Sequence, residues 1–202
     1  MLISSGFAEI LFFLISIILD LPMPLVAIQI LWLNVVTDGL QDLALSFEKK
    51  EDGTMKEHPR SPKEALFDKT LFKEIFISGL FMGIMVIGLW FYLIKFTNVS
   101  IELARGYVMT LMVFLQNFQV FNCCSEKQTI FKHNFKSNMF VVFTVVSAIV
   151  LQILVSEVPI LSTFFKIEPV PVIHLVLLML YSGLILVVME IYKLIQRKKR
   201  IS

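Results

Sequence analysis

Long apolar runs alternate with charged stretches along this chain, and six of the runs approach the length that a bilayer asks of a helix. They cover residues 2–20, 25–47, 72–96, 105–123, 139–155 and 172–194, the fifth being close to the short limit. Each is expected to be helical, because an open sheet in lipid would leave backbone N–H and C=O groups without partners. The expected fold class is therefore all-α, a polytopic membrane bundle of six transmembrane helices. A hydrophobic content of 57% and a mean hydropathy of +0.81 fit that class and set aside a soluble domain with a large core.

Charge orients the bundle. Of the 18 basic residues, all but Lys95, Arg105 and Lys166 fall in the loop after the second run, the loop after the fourth, or the C-terminal tail. By the positive-inside rule this side is cytoplasmic, and an even number of spans puts both termini there. The basic tail from Lys193 to Arg200 reads as a topology anchor that also touches lipid headgroups, and no nucleic-acid partner is expected. Cys123 and Cys124 are adjacent at the cytoplasmic end of the fourth run, so no disulfide framework is implied. The histidines are scattered without metal-ligand spacing, and no nucleophile–base triad or glycine-rich phosphate loop is present.

The first two runs carry the chemistry. Glu9 lies in the first; Asn34, Thr37 and Asp38 lie in the second. A carboxylate within a membrane span is costly and marks a functional site by default. A lone Asn or Thr there would be helix-packing glue, but two carboxylates at matched depth point to an ion site or ion path. Glu9 and Asn34 each stand about 15–17 Å along a helix from the Leu21-Pro22-Met23-Pro24 turn, near the bilayer midplane. So short a turn predicts that the two helices are antiparallel neighbours. Asn34, Thr37 and Asp38 follow i, i+3, i+4 spacing and share one face of an α-helix. Gly39 weakens the helix beside them, and a loosened turn there would free backbone carbonyls as further ligands. Oxygen-only donors suit a hard cation, calcium before a transition metal, with sodium or protons as alternatives. Asp42, one turn further on, either lines the cytoplasmic mouth of this site or is a solvated helix-end charge.

The segments Leu2-Ile3-Ser4-Ser5-Gly6-Phe7-Ala8-Glu9, Gln29-Ile30-Leu31-Trp32-Leu33-Asn34-Val35-Val36-Thr37-Asp38-Gly39 and Pro59-Arg60-Ser61-Pro62-Lys63-Glu64 closely resemble the C-terminal membrane half of type II P-type ATPases. The resemblance is best to the calcium-pump branch typified by the sarcoplasmic reticulum pump. It implies that the six spans are the last six of a ten-helix membrane domain. It also implies that Glu9, Asn34, Thr37 and Asp38 are cation ligands, with Asp38 shared between two calcium sites. Two positions depart from the family pattern: Gly6 stands where the family has an Asn ligand, and Gln116, placed by aligning Asn122 and Ser125-Glu126, stands where it has a Glu. Both fall on the same one of the two sites, so one ion per cycle is expected. Glu190 and Lys193 resemble a Glu-x-x-Lys feature read as a structural salt bridge. The loop around Pro59-Arg60-Ser61-Pro62 resembles the connection that faces the phosphorylation domain.

The ATP-binding, phosphorylation and actuator domains are absent from the chain, as are the first four helices. ATP and Mg²⁺ would act only through those parts, and the chain alone is expected to be inactive and poorly stable. A chain that starts inside a membrane helix is expected to be the tail of something longer, joined to or paired with an N-terminal half. Compact size and short loops suggest a bacterial plasma membrane. The alternative is a non-enzymatic membrane protein: a small channel, an ion-coupled carrier or an interaction subunit.

Overall fold

The computed structural model describes residues 1–47, 69–124 and 139–201, with side chains described up to 196 and, in the second stretch, from 71. The Pro59-Arg60-Ser61-Pro62 loop, Ser125-Glu126 and most of the basic residues used for orientation lie outside the described residues. What is described is all helical: α1 (Leu2–Ile18), α2 (Ala27–Leu33), a π-helical segment (Asn34–Gly39), α3 (Leu40–Ser46), α4 (Lys69–Phe96), α5 (Ile101–Cys123), α6 (Met139–Glu157), α7 (Pro159–Phe165), α8 (Val172–Ser182) and α9 (Leu184–Ile201). Among the described residues, three stretches are long and apolar enough to cross a membrane by themselves: Leu71–Phe96, Met139–Glu157 and Val172–Gln196. The protein is a multi-pass membrane protein.

The remaining expected spans fall short of that standard for different physical reasons. α1 is apolar but has only 17 residues. The second run is interrupted by the π segment, so neither α2 nor α3 is long. α5 has the length, 23 residues, but 16 of them are buried, and they include Thr110, Gln116, Asn117, Gln119 and Asn122. It is the central helix, in contact with α4, α6, α8, α9 and the π segment. Its neighbours, rather than lipid, are its solvent, and polar side chains on it can hydrogen-bond across helices.

α1 touches the second run through Ser5 and Asp38, but a second helix holds it over a longer stretch. Its extended contact is with α4. Gly79 and Gly83 are four residues apart on α4 and face Ser4 and Ala8, four apart on α1. A Cβ built on Gly79 would come within 2.7 Å of the Ser4 carbonyl oxygen and of Phe7 Cδ1, and one on Gly83 within 3.4 Å of the Ala8 carbonyl oxygen. In lipid the hydrophobic effect does not press helices together, so close backbone approach through small residues is what holds such a pair. Phe7 adds a ring contact with Phe76 at 5.5 Å.

The second run is pinned at both ends. Gln29 Nε2 donates to the carbonyls of Phe165 (2.8 Å) and Lys166 (3.3 Å), where α7 ends in a left-handed residue. Trp32 packs edge-on against Phe165, and its Nε1 donates to Gln152 Oε1 at 3.0 Å. Gln152 in turn donates to Thr110 Oγ1 at 3.1 Å. On α3, Gln41 Nε2 donates to Asn117 Oδ1. At the far end of α5, the buried Lys193 donates to the Asn122 carbonyl at 3.1 Å, which ties α9 to the centre.

A Gly79→Ala substitution drives a Cβ into backbone and is expected to destabilise the chain by about 1–3 kcal/mol, the usual cost of overpacking. Gly83→Ala, whose contacts are 3.3–3.4 Å, is expected to cost clearly less. Thermal unfolding of the detergent-solubilised protein checks the order; equal melting temperatures for the two variants would remove close approach at Gly79 as the cause.

Candidate cation site

A π-helical turn closes on the fifth residue rather than the fourth and commonly marks a functional site. The local sequence favours it here. Val35, Val36 and Thr37 are β-branched in succession, which crowds an α-helix, and Gly39 follows. A Cβ on Gly39 would sit 3.3 Å from the Asn34 carbonyl oxygen across the widened turn. The loosened turn expected beside Gly39 is thus present, as a π segment.

Within this segment Thr37 is fully buried and Asp38 is 5% exposed. The Thr37 hydroxyl donates to the Leu33 carbonyl at 2.5 Å, leaving its lone pairs as acceptors. Both Asp38 carboxylate oxygens accept from Ser5 on α1, at 2.9 and 3.1 Å, and the same hydroxyl also lies 2.9 Å from the Leu2 carbonyl. Ser5 was not singled out from the sequence, although it sits one helical turn before Glu9 on the same face of α1.

Glu9 is half-buried, and its Oε1 is enclosed with no hydrogen-bond partner. It lies within electrostatic range of Asp38, and the Gln116 side chain faces it. The Gln116 contact falls short of a hydrogen bond, because Oε1 and Nε2 of that amide are also buried without partners. Ser5, Ala8 and Gln116 together line a small void between α1, α4 and α5. Gly6 opens onto empty space: a Cβ there would meet nothing within 4 Å. Asp42 is half-buried and close enough to Asp38 for the two charges to interact.

Asn34 is placed differently from Thr37 and Asp38: it is exposed on the outer side of the bundle. The i, i+3, i+4 argument assumes the regular α-helical turn, and the π turn spreads those positions further round the axis. The structure therefore brings Glu9, Asp38 and Gln116 together beside Ser5, buries Thr37 next to Asp38 against its own helix, and leaves Asn34 on the open face of the same segment.

Chemically, this is a set of oxygen donors: two carboxylates, two hydroxyls and an amide, with the carbonyls of a widened helical turn beside them. Such donors suit hard cations. Among the described residues, no group of three or more His, Cys, Asp or Glu side chains assembles as a metal centre.

The fold and donor set define a class: a multi-pass helical membrane protein with buried carboxylates on an interrupted helix. The chain belongs to the cation-transporting ATPase C-terminus family, whose model matches residues 22–195. It is similar to a calcium-transporting ATPase of Bacillus subtilis (strain 168), with 36% identity over 165 residues, 81% of this chain and 18% of that protein. It is also similar to a probable calcium-transporting ATPase of Trypanosoma brucei brucei (27% identity, 85% of this chain, 19% of that protein). An endoplasmic reticulum-type calcium-transporting ATPase of Arabidopsis thaliana is 24% identical over 97% of this chain and 22% of its own length. The chain thus spans about a fifth of the length of these relatives. Membership of this family supports the pump-part reading over a self-standing channel, carrier or interaction subunit.

Ser5→Ala leaves a buried carboxylate without its hydroxyl donor. The expected loss of stability is about 1–3 kcal/mol, with Ser5→Thr retaining most of it. Chemical denaturation of the purified variants at neutral pH checks this, and an unchanged Ser5→Ala midpoint would show that the bond contributes nothing.

Proposed function

We propose that this chain is the C-terminal membrane part of an ATP-driven calcium pump, supplying ligands near the bilayer midplane for the transported ion. The observation that carries the reading is the pairing of a buried, hydroxyl-bonded Asp38 with the partnerless Glu9 Oε1 and Gln116 amide beside a π turn. Buried polar groups are almost always satisfied, so orphaned oxygens converging in a membrane interior call for a partner from outside the chain. A cation supplies one. The names of the relatives, all calcium-transporting ATPases, favour calcium.

In this reading the six apolar runs are six membrane crossings, the last six of ten, with basic loops and both termini in the cytoplasm of a bacterial cell. ATP and Mg²⁺ act through the phosphorylation and nucleotide-binding domains of the rest of the pump. Asn34, exposed here, faces the helices of that N-terminal half and completes the ligand set together with them. Phosphorylation on the missing part is coupled to opening of the site to the two sides of the membrane in turn.

Asp38→Asn in the full pump is expected to abolish calcium-dependent phosphoenzyme formation from ATP; normal phosphorylation in that variant would remove Asp38 from the site. The open space at Gly6 and the neutral Gln116 set the ion count. A pump carrying this half is expected to move one calcium ion per ATP, and the double variant Gly6→Asn, Gln116→Glu to move a second. Isotope uptake against ATP hydrolysis in proteoliposomes measures the ratio. Two ions per ATP in the unaltered protein would overturn this part of the reading.

A further inference from the structure

Away from the cation site, a cavity of about 520 Å³ opens between α4, α5 and α8. That is within the usual range for a small-molecule pocket. Its walls are graded. Leu89, Leu93 and Leu178 line its apolar part, while Thr97, Tyr107 and His174 supply polar groups close to where α4 ends and where α5 and α8 begin. Along α8 the lining runs from His174 to Tyr181, about 10 Å of helix. Tyr92 and Leu177 also line it and are both more than half exposed, so the cavity opens toward the membrane.

The polar end is built. The Tyr107 hydroxyl and His174 Nδ1 lie 2.5 Å apart across the α5–α8 gap, and their rings stand 5.5 Å apart. With the tyrosine proton donated to Nδ1, the neutral imidazole carries its own proton on Nε2. The histidine then offers a donor to a ligand that accepts. α8 packs mainly on α5 and makes no comparable contact with α4, so the cavity is the space between α8 and α4.

A slot with hydrogen-bonding groups at one end and apolar walls below, open sideways into a bilayer, fits an amphiphile whose head accepts hydrogen bonds. We propose that this cavity is a phospholipid site, with an ester or phosphate oxygen accepting from His174, which Tyr107 orients, and one acyl chain between α4 and α8. The lipid fills the gap that the helices leave and holds α8 against the bundle. Tyrosine at the membrane interface, with one apolar and one polar end, suits that role.

The test uses native membranes carrying the intact protein, fused with phosphatidylcholine vesicles that contain a trace of phosphatidylcholine with a diazirine on one acyl chain. After illumination, labelled peptides are located by mass spectrometry. Labelling is expected to concentrate on residues 89–99 and 172–181. Leu177→Trp, which fills the slot from its exposed side, is expected to reduce that labelling about tenfold, a factor worth 1.4 kcal/mol, without changing labelling of the exposed Val150 region of α6. His174→Ala, which removes the head-group donor and leaves the walls intact, is expected to reduce it as well. Uniform labelling of all lipid-facing helices would mean bulk lipid only and would overturn the proposal. So would unchanged labelling in both variants, or capture of a second polypeptide by a photo-crosslinker placed at Leu177.

Discussion

A carboxylate held inside a membrane must be wrapped by protein, and Asp38 sets that demand for this fold. Lipid offers no hydrogen bonds, so its partner has to come from another helix. That partner, Ser5, reaches Asp38 only because α1 stands close in the bundle, and α1 is held there by glycines on α4. The small-residue stripe at Gly79 and Gly83 and the buried hydroxyl–carboxylate bond are two parts of one arrangement. Loosening the first draws Ser4 and Ser5 away from the bundle and strips the second of its donor.

The same demand explains why α5 is polar at its centre. A helix surrounded by others on every side can carry Gln116, Asn117, Gln119 and Asn122 without exposing them to hydrocarbon. Two of these serve different ends. Asn117 accepts from Gln41 and fixes α3, whereas Gln116 has no partner at all and faces Glu9. Gln29 and Trp32 fix the opposite end of the second run through α6 and α7. The π segment therefore lies between two anchored helices. Any rearrangement of the second run is concentrated in the one stretch whose backbone is already widened, which is also the stretch that carries Asp38.

Much of this was legible in the sequence, in proportion to how local each signal is. Glu9 and Asp38 stood out because charge inside an apolar run is rare, and Gly39 beside Asp38 forecast a loosened turn. Ser5 did not stand out, since serine in a membrane helix usually bonds its own backbone; only the tertiary placement of α1 gives it Asp38. The short turn makes the first two runs neighbours, and Ser5 meets Asp38 across them; the four-residue glycine spacing on α4, present in the sequence, adds the more extensive contact of α1. The grouping of Asn34 with Asp38 rested on an α-helical period that the π turn does not keep.

The apolar run that becomes α5 is the one most diluted by polar residues. An apolar window measures what a helix shows to lipid, so it finds α4, α6 and the α8–α9 stretch, whose outer faces are bare, and passes over the helix they enclose. The second run escapes it for another reason, because the break that makes the site also shortens its helices. α5, which faces Glu9, and the second run, which carries Asp38, are thus both weakened as span signals, while α1, which carries Glu9, stays apolar and is only short. This follows from the cost of the buried charge itself: the polar groups that stabilise it, and the irregular backbone beside it, both subtract from the pattern by which spans are recognised.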